Sequence, residues 1–341
     1  MERWEKLNLK ILYLTNHQSL SEQFNDYLSN LLLHGLREHF DRNVIDFPGS
    51  WYLYEDESKK KELDANKLWG KGFTIKDTLN NYDTIDRNDI EKKIQTKYFD
   101  LVVYSSARRS KPFLDDVIKS NNKVIFIDGE DDQFIDENLS KIGLYFKREL
   151  IKDQKGLLPI QFAIPKEKIL REINTNPKNL LAPLIPGRLS TYIYNNEIDY
   201  YKMYQESIFA LTYKKAGWDT LRHYEILMNG SLPIFLDIEN CPVNTMKYFP
   251  KKDIINIKNK YETILQNYFP TKIFKYKFLN FKSFNNYFLN LFSDKKDIDY
   301  FMEKDEEIFE LKSKLLDFTK KNLTTYKLAE YVINSVRNYH L

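Results

Sequence analysis

Residues 208–235 read IFALTYKKAGWDTLRHYEILMNGSLPIF, and the fold follows from how this stretch parses. Ile208–Thr212 is an apolar run of strand length. Lys214, Lys215 and Gly217 make a polar turn, and Asp219–Met228 carries apolar residues at helical spacing. Gly230 suits the left-handed residue that ends a helix. Pro233 stands at the opening of the next strand, Leu232–Leu236, where a missing backbone donor is tolerated. Strand, helix and strand joined by short turns form a βαβ unit, and βαβ units build parallel sheets.

Working outward, the same alternation recurs. Upstream lie a strand at Asn179–Leu184 and an aromatic helix at Ile198–Glu206. An earlier series runs through strands at Leu9–Thr15, Asn43–Phe47, Asp100–Tyr104 and Lys123–Ile127, with helices at Glu22–Phe40 and Pro112–Lys119, and Leu144–Leu150 and Leu157–Ile164 complete the first domain. Gly49–Glu91 holds Trp51, Trp69, Gly70 and Gly72 among many charges and shows no clear period. Pro165–Pro177 is charged, lacks an apolar face and reads as the linker; Thr325–Val336 reads as a final helix. Two successive series predict an α/β chain of two Rossmann-like domains facing each other across a cleft, residues 1–165 and 175–325, followed by a C-terminal helix over 325–341.

The 341 residues suffice for two domains, and a hydrophobic content of 42% allows a sizeable core. A net charge of +3 argues against bulk binding to nucleic acid. Cys241 is the sole cysteine, which excludes an intrachain disulfide and a cysteine-based metal cluster. The opening MERWEKLNLKILYLT has too short an apolar run, with an acidic flank, for a signal peptide, and no stretch approaches the ~20 apolar residues of a membrane span. A cytoplasmic chain is expected.

The turn at Lys214–Thr220 has a definite chemistry. Asp219 or Thr220 can cap the helix that follows, whose free N–H groups favour an anion, and two lysines stand beside them. Arg222 and Glu225, three apart, share one helix face. A guanidinium forks onto phosphate, and a carboxylate accepts from a pair of ribose hydroxyls. Taken singly, each residue has an ordinary alternative, a βα turn or a surface ion pair. Together, the run G-W-D-T-L-R-x-x-E-x-L-x-x-G-x-x-P-I resembles the donor-binding signature of exostosin-like and family-1-like glycosyltransferases of the two-domain (GT-B) type. The resemblance is close from Phe209 to Asp237; elsewhere it extends to length and βα order.

That resemblance implies transfer of a sugar from a nucleotide-diphosphate donor to a glycan, lipid-linked or protein acceptor, as in polysaccharide biosynthesis. It places the diphosphate on Lys214, Lys215 and Arg222 and the ribose on Glu225, with Gly217, Trp218, Asp219, Thr220 and His223 completing the donor segment. It makes the first domain the acceptor side and returns the last helix to it. No cofactor beyond the donor and no metal are expected, since the cations can neutralise a leaving diphosphate. Retaining relatives carry E-x7-E here; Gly217 stands where the first glutamate would be, which leaves retention or inversion open. A non-catalytic nucleotide- or sugar-binding protein and a nucleotide-sugar epimerase are the alternatives on the same scaffold.

On the acceptor side, Asp128, Glu130, Asp131 and Asp132 follow a strand and read as oxygen ligands for a divalent cation, a source of a general base, or a solvated turn. Asp128, Glu130, Asp131 and His17, in the loop after the first strand, are the candidate bases, on the expectation that crowded carboxylates raise one another's pKa. Arg108 and Arg109 end the preceding strand and read as partners of an acidic ligand or as exposed charges. Lys272–Lys282 (KIFKYKFLNFK) interleaves aromatic and basic residues, as in a peripheral membrane contact at the inner face of a membrane or an amphipathic element packed on the core.

Overall fold

A computed structural model describes residues 9–16, 25–55, 65–268, 298–299 and 307–339. His17 and Lys272–Lys282 lie outside these described residues. The chain divides into two compact units: Met1–Glu167 with Pro242–Lys247 and Leu323–Leu341, and Lys168–Cys241 with Tyr248–Asn322.

In the first unit, β1 (Ile11–Leu14), β2 (Val44–Phe47), β3 (Leu101–Tyr104), β4 (Val124–Asp128), β5 (Leu144–Lys147) and β6 (Leu157–Pro159) form one sheet in the order β2-β1-β3-β4-β5-β6. Every pairing is parallel. Parallel strands are covered on both faces, which is why β1, β3 and β4 are buried at every position. Helix α1 (Tyr27–Phe40) joins β1 to β2 and begins on Asp26, whose carboxylate accepts from the Ser29 amide at 3.2 Å. Three short helices, α2 (Ile90–Gln95), α3 (Leu114–Lys119) and α4 (Glu137–Ile142), fill the later connections.

Gly49–Glu91, aperiodic in sequence, contains 3-10 turns at Trp51–Leu53, Ala65–Lys67, Trp69–Gly72 and Tyr82–Thr84. A buried carboxylate holds this segment in place of a sheet ladder. Asp46 accepts from the Ser50 amide at 2.9 Å, the Tyr54 hydroxyl at 3.0 Å and Arg87 Nη2 at 2.6 Å.

The second unit carries a separate parallel sheet of three strands, β7 (Asn179–Leu181), β8 (Ser207–Thr212) and β9 (Leu232–Phe235), in the order β7-β8-β9. Helix α5 (Glu197–Gln205) precedes β8, and α6 (Leu221–Met228) links β8 to β9. Gly230 ends α6 at φ +72°, and Pro233 sits in β9, an edge strand among the described residues. Two longer helices, α7 (Lys251–Tyr268) and α8 (Glu307–Asn322), pack on β9 and on α6 respectively.

The last helix, α9 (Thr325–Tyr339), belongs to the first unit and packs along α1. The approach requires glycine: a Cβ at Gly35 would strike the Thr325 carbonyl oxygen. Beside it, His34 is buried between two glutamates. Its Nε2 lies 3.1 Å from Glu167 Oε1, and its Nδ1 lies 2.9 Å from the Thr325 hydroxyl, which donates to Glu38 Oε2 at 3.0 Å. Both ring nitrogens thus face acceptors, the arrangement of an imidazolium. Burial alone would lower the His34 pKa, but the bonds to Glu167 and Glu38 outweigh it and hold it up at about 9. A raised histidine pKa contributes stability that is complete below the unfolded value near 6.5 and lost as pH rises through about 9. We expect the free energy of unfolding to fall by about 1–3 kcal/mol between those limits, after allowing for the half-exposed Glu167. His34→Gln should abolish that component in urea titrations across the window; an unchanged pH slope would refute the assignment.

Candidate functional site

The carboxyl ends of β7, β8 and β9 bring together the loops that follow them. Strand β8 ends at Thr212, whose hydroxyl lies 2.9 Å from His223 Nδ1. The other ring nitrogen, Nε2, is 2.9 Å from the Trp218 carbonyl and 3.1 Å from the Thr220 hydroxyl. Since the Trp218 carbonyl can only accept, Nε2 carries the proton and Nδ1 accepts from Thr212. Burial pushes the His223 pKa down to about 3, so the ring stays neutral and clamps loop 213–220 onto the strand. It is fully buried, as is Asp219, which accepts from the Tyr224 hydroxyl at 2.8 Å. His223 and Asp219 therefore brace the loop from within and present nothing to a ligand in this arrangement. Thr220 takes the N-cap position of α6 without a side-chain capping bond.

The cationic residues lie further out. The Lys214 amide donates to Asp237 Oδ1 at 3.0 Å, which ties the loop after β8 to the loop after β9. Lys214 Nζ sits 5.3 Å from the centre of the Trp218 ring. Lys215 is exposed, with its amide bonded to the carbonyl of the buried Gly217 at 3.1 Å. The Tyr213 hydroxyl donates to the Pro186 carbonyl at 2.5 Å, joining the loop after β7. Arg222, in the first turn of α6, lies under Tyr192 from that loop, with Cζ 5.3 Å from the ring centre. Its Nε is buried without a hydrogen-bond partner. Burial alone would lower the Arg222 pKa, but the field of Tyr204, Tyr200, Tyr192 and Glu225 outweighs it and favours the charged form. Glu225 is also buried and takes the Tyr200 hydroxyl on Oε2 at 2.6 Å.

The expected donor residues thus divide. Lys214, Lys215, Trp218 and Arg222 have exposed or part-exposed surface beside the head of α6. Gly217, Asp219 and His223 are buried supports, and Glu225 is held by a phenol. The tyrosines at 192, 200 and 204 escaped the reading of the sequence because each also suits an ordinary core position; the only signal was the i, i+4 spacing of Tyr200 and Tyr204 on one helix face.

In the first unit, the acidic loop after β4 is a network of ion pairs. Asp128, fully buried, accepts from the Tyr145 hydroxyl at 2.6 Å and from Lys147 Nζ at 3.0 Å. Glu130 meets Arg109 at 2.5 Å, Asp131 meets Arg148, and Asp132 takes Arg108 through both oxygens at 2.5 and 3.0 Å. For Glu130 and Asp132 this pairing corrects the expectation that the carboxylates raise one another. Burial would raise Glu130, but Arg109 outweighs it and holds it below the usual range, and the Arg108 bond brings Asp132 down to about 2. Carboxylates held in that way are poor proton acceptors. Among the described residues, no group of three or more histidines, cysteines or carboxylates is placed to hold a metal ion.

Comparison with family models, with curated proteins and with solved structures returned no match.

The Lys147–Asp128 pair gives a direct check on the network, since both side chains are fully buried. Lys147→Met should cost about 3–5 kcal/mol in chemical unfolding by stranding a buried carboxylate. Adding Asp128→Asn should recover part of that loss; a single variant as stable as the parent would contradict the pairing.

Proposed function

We propose that this chain is a glycosyltransferase of the two-Rossmann, GT-B class that transfers a sugar from a nucleoside-diphosphate donor to a glycan, lipid-linked or protein acceptor. The supporting observation is Arg222: a charged guanidinium at the head of a helix, its Nε without a partner, with Lys214 and Lys215 on the adjoining turn. A diphosphate supplies the acceptor that Arg222 Nε lacks. As the bond to the sugar breaks, negative charge gathers on the leaving diphosphate, and cations already in place stabilise it without reorganising. Glu225, oriented by Tyr200, takes the ribose. The pairing of the acidic loop with arginines and a lysine favours a second reading, nucleotide binding without transfer, because it removes the preferred source of a general base; turnover of a donor with any acceptor separates the two.

Arg222→Ala should weaken binding of nucleoside diphosphates by about 1.5–3 kcal/mol, the range for bonds to a charged group, and leave free nucleosides unaffected. Glu225→Ala should weaken both ligand types. Calorimetric titration of folded protein tests this, and two variants that bind diphosphates like the parent would refute the site.

A further inference from the structure

Two buried polar atoms in one cluster of the second unit make no hydrogen bond of normal geometry: Arg222 Nε and the Tyr204 hydroxyl, which has the Tyr200 hydroxyl beside it. Tyr204, on α5, is 1% exposed, and its ring stands edge-on to Tyr200 with centroids 5.4 Å apart. The two atoms belong to one cluster because Tyr204 packs on Tyr200, whose hydroxyl bonds Glu225, three residues along α6 from Arg222. The Tyr200 hydroxyl beside them gives its proton to Glu225, which commits that carboxylate oxygen elsewhere. Buried polar groups without partners are uncommon in native proteins and point to an occupant not supplied by the chain.

Resting on the donor reading above, we propose that Tyr204 is a ligand residue, and that its O–H and the Nε–H of Arg222 donate together to one non-bridging oxygen of the donor's diphosphate. Both atoms offer a proton, and a phosphoryl oxygen accepts two or more such bonds, strengthened by its charge. The outer wall of the cage is Tyr192, 38% exposed, with its ring centre 5.3 Å from Arg222 Cζ. Tyr204 belongs to the helix before β8, outside the segment with the donor signature. A bound water is the competing occupant; it would satisfy the same two donors with no preference for a charged ligand.

Tyr204→Phe in the full chain keeps the ring and deletes the hydroxyl. The probes are inorganic pyrophosphate, which is independent of the base, together with UDP and uridine, titrated by calorimetry. We expect pyrophosphate and UDP to bind about ten-fold or more weakly and uridine to be unaffected. Arg222→Lys keeps the charge but loses Nε–H, should show a comparable loss, and carries the test if Tyr204→Phe does not fold. Parental pyrophosphate affinity in Tyr204→Phe or in Arg222→Lys, with Arg222→Ala still defective, would overturn the role of the Nε–Tyr204 pair and leave the donor site standing. Parental affinity in Arg222→Ala as well would overturn both.

Discussion

A guanidinium sealed from water at its Nε, with no protein oxygen to accept from it, is the constraint on which the second unit turns. Removing a cation from water costs several kcal/mol unless something replaces its hydration. Here phenol oxygens and one carboxylate provide a field but no bond at Nε. The first unit treats its charges in the opposite way. Lys147 and Asp128 are equally inaccessible, yet each has a partner, and the acidic loop around them is neutralised pair by pair. Charges that complete each other build a scaffold, whereas a charge left incomplete stores binding energy for a ligand.

The surroundings of Arg222 follow from this. His223 is kept neutral and pins the loop to β8, so the turn that carries Lys214 and Lys215 starts from a fixed point. Tyr213 and Asp237 fasten the neighbouring loops to it. Glu225, three residues along the helix, is bonded to Tyr200. Positive charge is thereby concentrated at the carboxyl edge of a parallel sheet, the edge at which open α/β sheets bind ligands.

Much of the fold is legible in the sequence, because parallel strands buried on both faces are short apolar runs: Leu9–Thr15 contains β1, Asp100–Tyr104 contains β3, and Leu232–Leu236 contains β9. Their ends are less so. Leu144–Leu150 contains β5, which stops at Lys147; Lys147 and Arg148 are buried against the carboxylates of the acidic loop, a pairing that an apolar run does not announce. Helices α7 and α8 were missed among frequent lysines and asparagines, and α4 is too short for its period to show. In the candidate site, the lysines and Arg222 are readable from one contiguous segment. The partners that decide their chemistry are not: Tyr192 and Tyr204 lie outside that segment, and the cations of the acidic loop come partly from the following strand. Spacing along a chain does not say which element will fold against which.

A diphosphate site at the head of α6 can be tested on the unaltered chain. Thermal unfolding should be followed with nucleosides, nucleoside diphosphates, diphosphate sugars and pyrophosphate, each at rising concentration. A ligand that binds only the folded state raises the midpoint in proportion to the logarithm of its concentration above Kd. A diphosphate site gives a rise with diphosphate-bearing ligands and none with nucleosides at the same concentrations; equal midpoints across the whole panel would rule it out.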